Sequence, residues 1–286
     1  MLFLTYTILF FLGLGIGSFF NVVAFRYDAG KPLFSFSRLG GRSKCPHCHK
    51  ILRWFELMPI LSFVLQRGLC RSCHRAISPQ YPLVELVAGL TFAGLPFYLD
   101  HFYRASFLGA FWLLVFLVLL LISAIDLRHF LIPNGLVFAL VLLGFGVMAV
   151  KTFYSSDPAL NLPISFLGHY SRLFSFPQIW LNHLLGALLP ALVFAALVYF
   201  SKEKAMGWGD VKLGAALGLL LGLPDIIMAT ALSFLIGGLA GLGLILSGRR
   251  TMESHLPFGP FLALGAVAVF FFGSKLLEFY FSIFSK

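Results

Sequence analysis

Six stretches of this chain run for about a membrane's width without a charged side chain: Leu2–Phe25, Ala105–Ile125, Phe130–Val150, Trp180–Phe200, Ile226–Ser247 and Leu256–Ser274. Crossing a hydrocarbon core takes about 20 apolar residues in a helix. Two further stretches are nearly as clean. Tyr81–Leu99 carries only Glu85, and the shorter Val211–Leu223 carries only Lys212, which sits near its start and can snorkel. The expected architecture is therefore an all-α polytopic membrane protein with about eight transmembrane helices. The least distinct boundary, between the sixth and seventh, falls around Pro224 and Asp225. Hydrophobic residues form 59% and charged residues 11% of the 286, too little polar material to clothe a soluble molecule of this size. That excludes a soluble enzyme, a disordered chain and a nucleic-acid module built on surface charge.

The first apolar run does not read as a cleavable signal peptide. It lacks a basic start, is long for such a segment, and ends in Asn21-Val-Val-Ala-Phe-Arg26 instead of a small-residue cleavage site.

Charge gives the sidedness. The net charge is +10, and ten of the 21 Lys and Arg lie between Arg26 and Arg75, a stretch with only two acids, Asp28 and Glu56. With this stretch in the cytoplasm and both termini outside, the inner side also collects Arg128, Lys202, Lys204, Lys212, Arg249 and Arg250. The outer side keeps Arg104, Lys151, Arg172, Lys275 and Lys286, a split of 16 to 5. Cationic loops stay on the cytoplasmic side. The organisation expected is a first membrane helix over 1–25, a cytoplasmic domain over 26–80, and seven membrane helices over 81–286 with an external loop near 151–179. Small residues four apart, at Gly13/Gly17, Gly214/Gly218/Gly222 and Gly237/Gly241, read as close helix-packing positions.

All four cysteines fall in the basic stretch, as Cys45-Pro-His-Cys48 and Cys70-Arg-Ser-Cys73 with 21 residues between the pairs. Two such knuckles are a zinc-ribbon pattern, because two intervening residues let both sulfurs reach one tetrahedral ion. A reducing cytoplasm disfavours disulfides. Four thiolates would leave no open position on the metal, so the zinc reads as structural. His47, His49 and His74 are alternative ligands or solvated neighbours. The surrounding positive charge finds its simplest partner in anionic lipid headgroups, not nucleic acid. Between the knuckles, Trp54–Leu65 is too interrupted to span; it packs on the ribbon or lies in the membrane interface.

Four acids sit at or near the spans: Glu85, Asp126, Asp210 and Asp225. Ionisable groups there are costly, which makes each a functional candidate. Asp126 closes the third span and Asp210 opens the sixth, so both belong to the cytoplasmic face, whereas Asp225 falls on the other. Two carboxylates at one level suggest a water-activating pair sharing a proton, one acting as base and the other as acid. In Gly207-Trp-Gly209-Asp210, the glycines would let a substrate backbone approach closely. The alternative is that each aspartate only caps a helix N-terminus. Glu85 either pairs with a basic residue of the loop or is a first-turn carboxylate favoured by the helix dipole.

These residues resemble the prepilin peptidases, or type IV leader peptidases. The resemblance rests on Gly17-Ser-Phe-Phe-Asn21-Val-Val-Ala-Phe-Arg26, the two cysteine knuckles, and Ile77-Ser-Pro-Gln-Tyr81-Pro82-Leu-Val-Glu85-Leu. It continues through Ala124-Ile-Asp126-Leu with Ile132-Pro133-Asn134, Met206-Gly-Trp-Gly-Asp210-Val-Lys212-Leu, and Leu256-Pro-Phe-Gly259-Pro260-Phe-Leu-Ala-Leu-Gly. The resemblance implies an aspartic endopeptidase of the bacterial inner membrane. Its substrates would be type IV prepilins and type II secretion pseudopilins, cut after a Gly at the cytoplasmic face. Asp126 and Asp210 would be the catalytic pair, supported by Gly207, Gly209 and Lys212. Members with the four cysteines commonly also N-methylate the new amino terminus with S-adenosylmethionine. No glycine-rich nucleotide loop marks where that methyl donor would bind. Two other readings use the same residues: a transporter or channel with the aspartates as an ion relay, and a zinc-ribbon interaction module on a membrane anchor.

Overall fold

The computed structural model describes residues 2–31, 33, 40–103, 106–154, 179–248, 251 and 255–284. The expected external loop lies almost wholly outside these residues, as do Arg104, Arg172, Arg249, Arg250 and Lys286. Among the described residues the regular structure is helical: α1 (Leu2–Phe25), a short α2 (Leu61–Leu65), α3 (Gln80–Tyr103), α4 (Ser106–His129), α5 (Asn134–Tyr154), α6 (Ile179–Ser201), α7 (Trp208–Leu221), α8 (Leu223–Leu246) and α9 (Gly259–Phe284). A single 3-10 turn, Trp54–Glu56, precedes α2.

The eight long helices coincide with the eight apolar stretches. Six have the length and hydropathy to cross a membrane: Phe3–Phe25, Gln80–Leu99, Gly109–His129, Ile179–Ser201, Leu223–Leu246 and Gly259–Ile283. Among the described residues, six helices are thus long and apolar enough to cross by themselves, against the eight spans expected. The apolar part of α5 begins only at Asn134, because Phe130 turns left-handed (φ 54°) and Pro133 holds its predecessor extended. With 14 residues, α7 is about 21 Å long, short of a roughly 30 Å core.

The chain divides into two compact units, 1–128 and 129–286. In the first, α1 lies against α3 at backbone contact. A Cβ on Gly17 would come within 2.6 Å of Glu85 Cα, and one on Gly13 within 2.6 Å of Ala88 O, so the expected packing role of this glycine pair holds. The two knuckles repeat one local geometry. Cys45 N–H donates to Lys50 O and His49 N–H to Cys45 O; Cys70 N–H donates to Arg75 O and His74 N–H to Cys70 O. His49 and His74 are both left-handed, and one antiparallel bridge closes each knuckle, Lys44 to Ile51 and Leu69 to Ala76. In the stretch between them Trp54, Val64 and Leu65 are exposed, while Phe63 lies under Gly68.

In the second unit α7 is the core. It packs on α5, α6, α8 and α9, and its residues from Asp210 to Leu221 are almost all buried. Being enclosed by protein lets it be shorter than the bilayer, since its ends need no lipid contact. A Cβ on Gly186 of α6 would meet Gly218 O at 2.7 Å, and one on Gly214 would meet Phe194 at 2.7 Å. Gly222 keeps the expected close packing, its carbonyl carbon lying 2.8 Å from where a Cβ on Gly186 would stand, and it has a second role. Its φ of 89° ends α7, and Pro224 in the first turn of α8 starts the next helix.

Candidate functional site

Asp126 lies in the last turn of α4, because the helix continues to His129 before the 130–133 turn. An N-terminal cap is therefore not its role. It is 4% exposed and sits at the negative end of the helix dipole, where a carboxylate is disfavoured. Two contacts fix this helix end. Gln80 Nε2 at the start of α3 donates to Ala124 O at 2.8 Å, and the Arg128 guanidinium lies 3.9 Å over the Phe25 ring. A buried carboxylate with the dipole against it, on a braced helix end, is the arrangement expected of a reactive group.

Asp210 occupies the first turn of α7. Gly207 is extended (φ −96°, ψ 161°) and begins the helix, and its N–H donates to Asp210 Oδ2 at 3.1 Å. The capping alternative is thus realised by one oxygen. No hydrogen bond from a described residue reaches the other oxygen, Oδ1. The side chain is 8% exposed, and burial pushes its carboxyl up to about 6, partly opposed by the Gly207 N–H. Leading into this turn, Lys202 and Glu203 are both left-handed, and Trp208 Nε1 donates to Glu203 Oε1 at 2.9 Å.

The two glycines of the motif differ. A Cβ on Gly209 would press within 3.2 Å of Ile132, in the turn before α5. A Cβ on Gly207 would meet nothing nearer than 3.8 Å, so the space beside it is not filled by the fold. Lys212 Nζ donates to Asn134 Oδ1 at 3.1 Å, joining α7 to the first residue of α5. Asp225 is buried in the first turn of α8, away from this end of α7. Asp126 belongs to the first unit and Asp210 to the second.

The structure brings the four cysteines together. Their sulfurs all lie within 4.8 Å of one another, with Cys45 Sγ and Cys73 Sγ 3.9 Å apart. Tetrahedral zinc at about 2.3 Å from each sulfur would set them about 3.8 Å apart, so the cluster fits such an ion. Backbone N–H groups of Cys73 and Ser72 bring the Cys70 thiol down to about 7. At Cys73 a backbone donor from Arg75 is outweighed by burial and by the neighbouring thiols, which push it up to about 11. Four crowded sulfurs cannot all ionise without a cation among them. His47 Nδ1 lies 3.5 Å from Arg75 Nη1, outside the cluster.

Glu85 settles neither expectation. It lies beyond the first turn of α3, and its Oε2 accepts the Ile60 N–H at 2.8 Å. The Ser18 hydroxyl also bonds to it, and no described cation does. Gln80 and Asn134 are the polar contacts that sequence reasoning did not single out. Both stood inside quoted motifs, which was the available signal.

Two family models match the chain, one described as the bacterial peptidase A24 N-terminal domain over residues 11–99 and one as the type IV leader peptidase family over residues 113–242. A Bacillus subtilis protein is 34% identical over 278 residues, covering 96% of this chain and 97% of its own length. One from Burkholderia pseudomallei is 35% identical, covering 92% and 84%, and one from Aeromonas hydrophila 30%, covering 97% and 94%. Each of the three is named a prepilin leader peptidase/N-methyltransferase. No solved structure gives a significant match.

Proposed function

The chain belongs to the type IV leader peptidase family, and from that we propose that it cleaves the leader from prepilins and N-methylates the amino terminus so exposed. The substrates are type IV prepilins and type II secretion pseudopilins, and the reaction takes place at the cytoplasmic face of a bacterial inner membrane. Its multi-pass character is supported by six helices able to span. The inward orientation is supported by the 16 to 5 distribution of Lys and Arg.

Asp126 and Asp210 act as the catalytic pair. One carboxylate takes a proton from water while the water oxygen attacks the scissile carbonyl, and the other, protonated, donates to the carbonyl oxygen. Collapse of the tetrahedral species breaks the C–N bond, and the leaving amine takes a proton from the pair. The observation carrying this assignment is Asp210 itself: Oδ2 is fixed by Gly207 N–H while Oδ1 is unclaimed by any described residue. An ionised carboxyl near neutral pH and a protonated one slightly below it are both within reach of a group at about 6. The open space at Gly207 would admit the substrate backbone, and Lys212 positions the start of α7 through Asn134.

Cys45, Cys48, Cys70 and Cys73 hold one structural zinc that ties the cytoplasmic segment together. S-Adenosylmethionine would supply the methyl group to the amino terminus that cleavage frees.

The test is leader removal from a prepilin by Asp126→Asn and Asp210→Asn. Each should lose about a hundredfold or more in rate with zinc content unchanged. Normal processing by both variants would refute the assignment. Mass spectrometry of the mature amino terminus reads methylation separately.

A further inference from the structure

Between its two cysteine pairs the chain is built inside out. From Leu57 to Leu65 it carries no charge, and the side chains it exposes are all apolar: Leu57, Met58, Leu61, Val64 and Leu65, at 39–73%. Their spacing gathers them on one side of a helical path. The polar side chains of the same path, Ser62 and Gln66, line a cavity against α1 and α3 instead. A segment bathed in water has the opposite arrangement, with its apolar side toward the protein.

One hydrogen bond sets the depth of this stretch. Ile60 N–H donates to Glu85 Oε2 at 2.8 Å, and Ser18 bonds the same carboxyl group. Glu85 lies about 7 Å along α3 from its start at Gln80, and Ser18 about 10 Å along α1 from its end at Phe25. Where α1 and α3 cross a bilayer, Ile60 is therefore below its surface. The chain also reverses there. Ile60 makes a γ-turn (φ 59°, ψ −51°) with Leu61 N–H donating to Pro59 O, a rare geometry for a β-branched residue. Both ends of the stretch come back to one place: the Arg53 and Arg71 guanidinium groups lie 6.0 and 5.4 Å from the centre of the same Phe55 ring.

The backbone suits such a position. The N–H groups of Leu57, Ile60, Leu61, Ser62 and Val64 all donate within the protein, and Pro59 has none to place. Backbone in contact with lipid must be satisfied in this way. Arg53, Arg67 and Arg71 flank the stretch and are exposed, which suits anionic headgroups at its rim. A soluble partner could not reach an apolar surface held at the depth of Glu85.

We propose that residues 57–65 form a re-entrant wedge in the leaflet that holds the Phe25 end of α1 and the Gln80 end of α3, with Leu61, Val64 and Leu65 among the acyl chains. The cysteine segment is then seated in the membrane surface and not suspended above it. The proposal rests on α1 and α3 crossing the membrane and is independent of the cleavage and methylation readings.

Spin labelling of the full chain in vesicles of phosphatidylethanolamine and phosphatidylglycerol tests it. p-Acetylphenylalanine placed at Leu61, Val64 or Leu65, one position at a time, takes a nitroxide and leaves the cysteines untouched. Each label should be relaxed by oxygen and shielded from a water-soluble nickel chelate, and a label at Lys50, exposed in the first knuckle, should show the reverse. Should one label disturb the fold, the other two positions carry the reading. Nickel access at these positions equal to that at Lys50 overturns the proposal. So does shielding from both reagents, which would mean that protein, such as a second copy of the chain, covers this face.

Discussion

Gly207 and Asp210 hold each other across the first turn of α7: the Gly207 N–H meets Asp210 Oδ2, and the Asp210 N–H meets Gly207 O, each at 3.1 Å. The carboxyl group is thereby fixed in direction, which, under the proposed catalytic role, would leave little reorganisation for the reaction.

Burial raises the Asp210 carboxyl from 3.8 to about 6, so the folded protein favours its protonated form. That preference stabilises the fold below about pH 4 and is lost as pH rises through 6, a change of at most about 3 kcal/mol. Asp210→Asn, neutral throughout, lacks this dependence. Thermal unfolding in detergent between pH 4 and pH 7.5 should show the wild type falling relative to the variant as pH increases. Parallel curves would mean that Asp210 titrates as an ordinary surface carboxyl.

The two motif glycines should separate folding from catalysis. Gly207→Ala adds a methyl group where no protein atom lies within 3.8 Å, at a backbone geometry any residue adopts. Melting temperature should hold while prepilin cleavage falls, because the methyl group occupies substrate space. Gly209→Ala presses on Ile132 and should lower stability by about 1 kcal/mol or more. Equal melting temperatures with equal cleavage for both variants would contradict this division.

Metal analysis should find about one zinc per chain. Removing it with a chelator, or by Cys45→Ser, should expose the knuckles to protease, since four close thiols without a cation repel as they ionise. A metal-free protein with an equally protease-resistant segment would show that the backbone bridges alone suffice.

Lys212 and Asn134 make one hydrogen bond between α7 and α5 at an exposed site. A double-mutant cycle with Lys212→Met and Asn134→Ala should return a coupling of about 0.5–1 kcal/mol in unfolding. Additive losses would show that the bond contributes nothing to holding the two helices.

Much of this was legible because the signals are local. An uncharged run of twenty residues, or two cysteines three positions apart, carries its meaning within one segment. The helices and the sulfur cluster follow the sequence for that reason. What escaped depends on backbone angle or on distant partners. Gly222 packs as its spacing suggests, but its φ of 89° also makes it a helix terminator. Asp126 stands open to an N-terminal capping role until α4 is seen to run on to His129. Ile60 donates to Glu85 from 25 positions away, and Gln80 reaches Ala124 from 44. Neither pairing leaves a periodic trace in the chain.

The enclosure of α7 within the second unit bears on how the protein would respond to its lipids. Hydrophobic mismatch acts on surfaces that touch acyl chains, by tilting helices or thinning the bilayer around them. A short helix sheathed by α5, α6, α8 and α9 is insulated from that adjustment. The depth of Asp210 follows from its four neighbours, so a membrane that thickens or thins retunes the outer helices first and reaches this aspartate only through them.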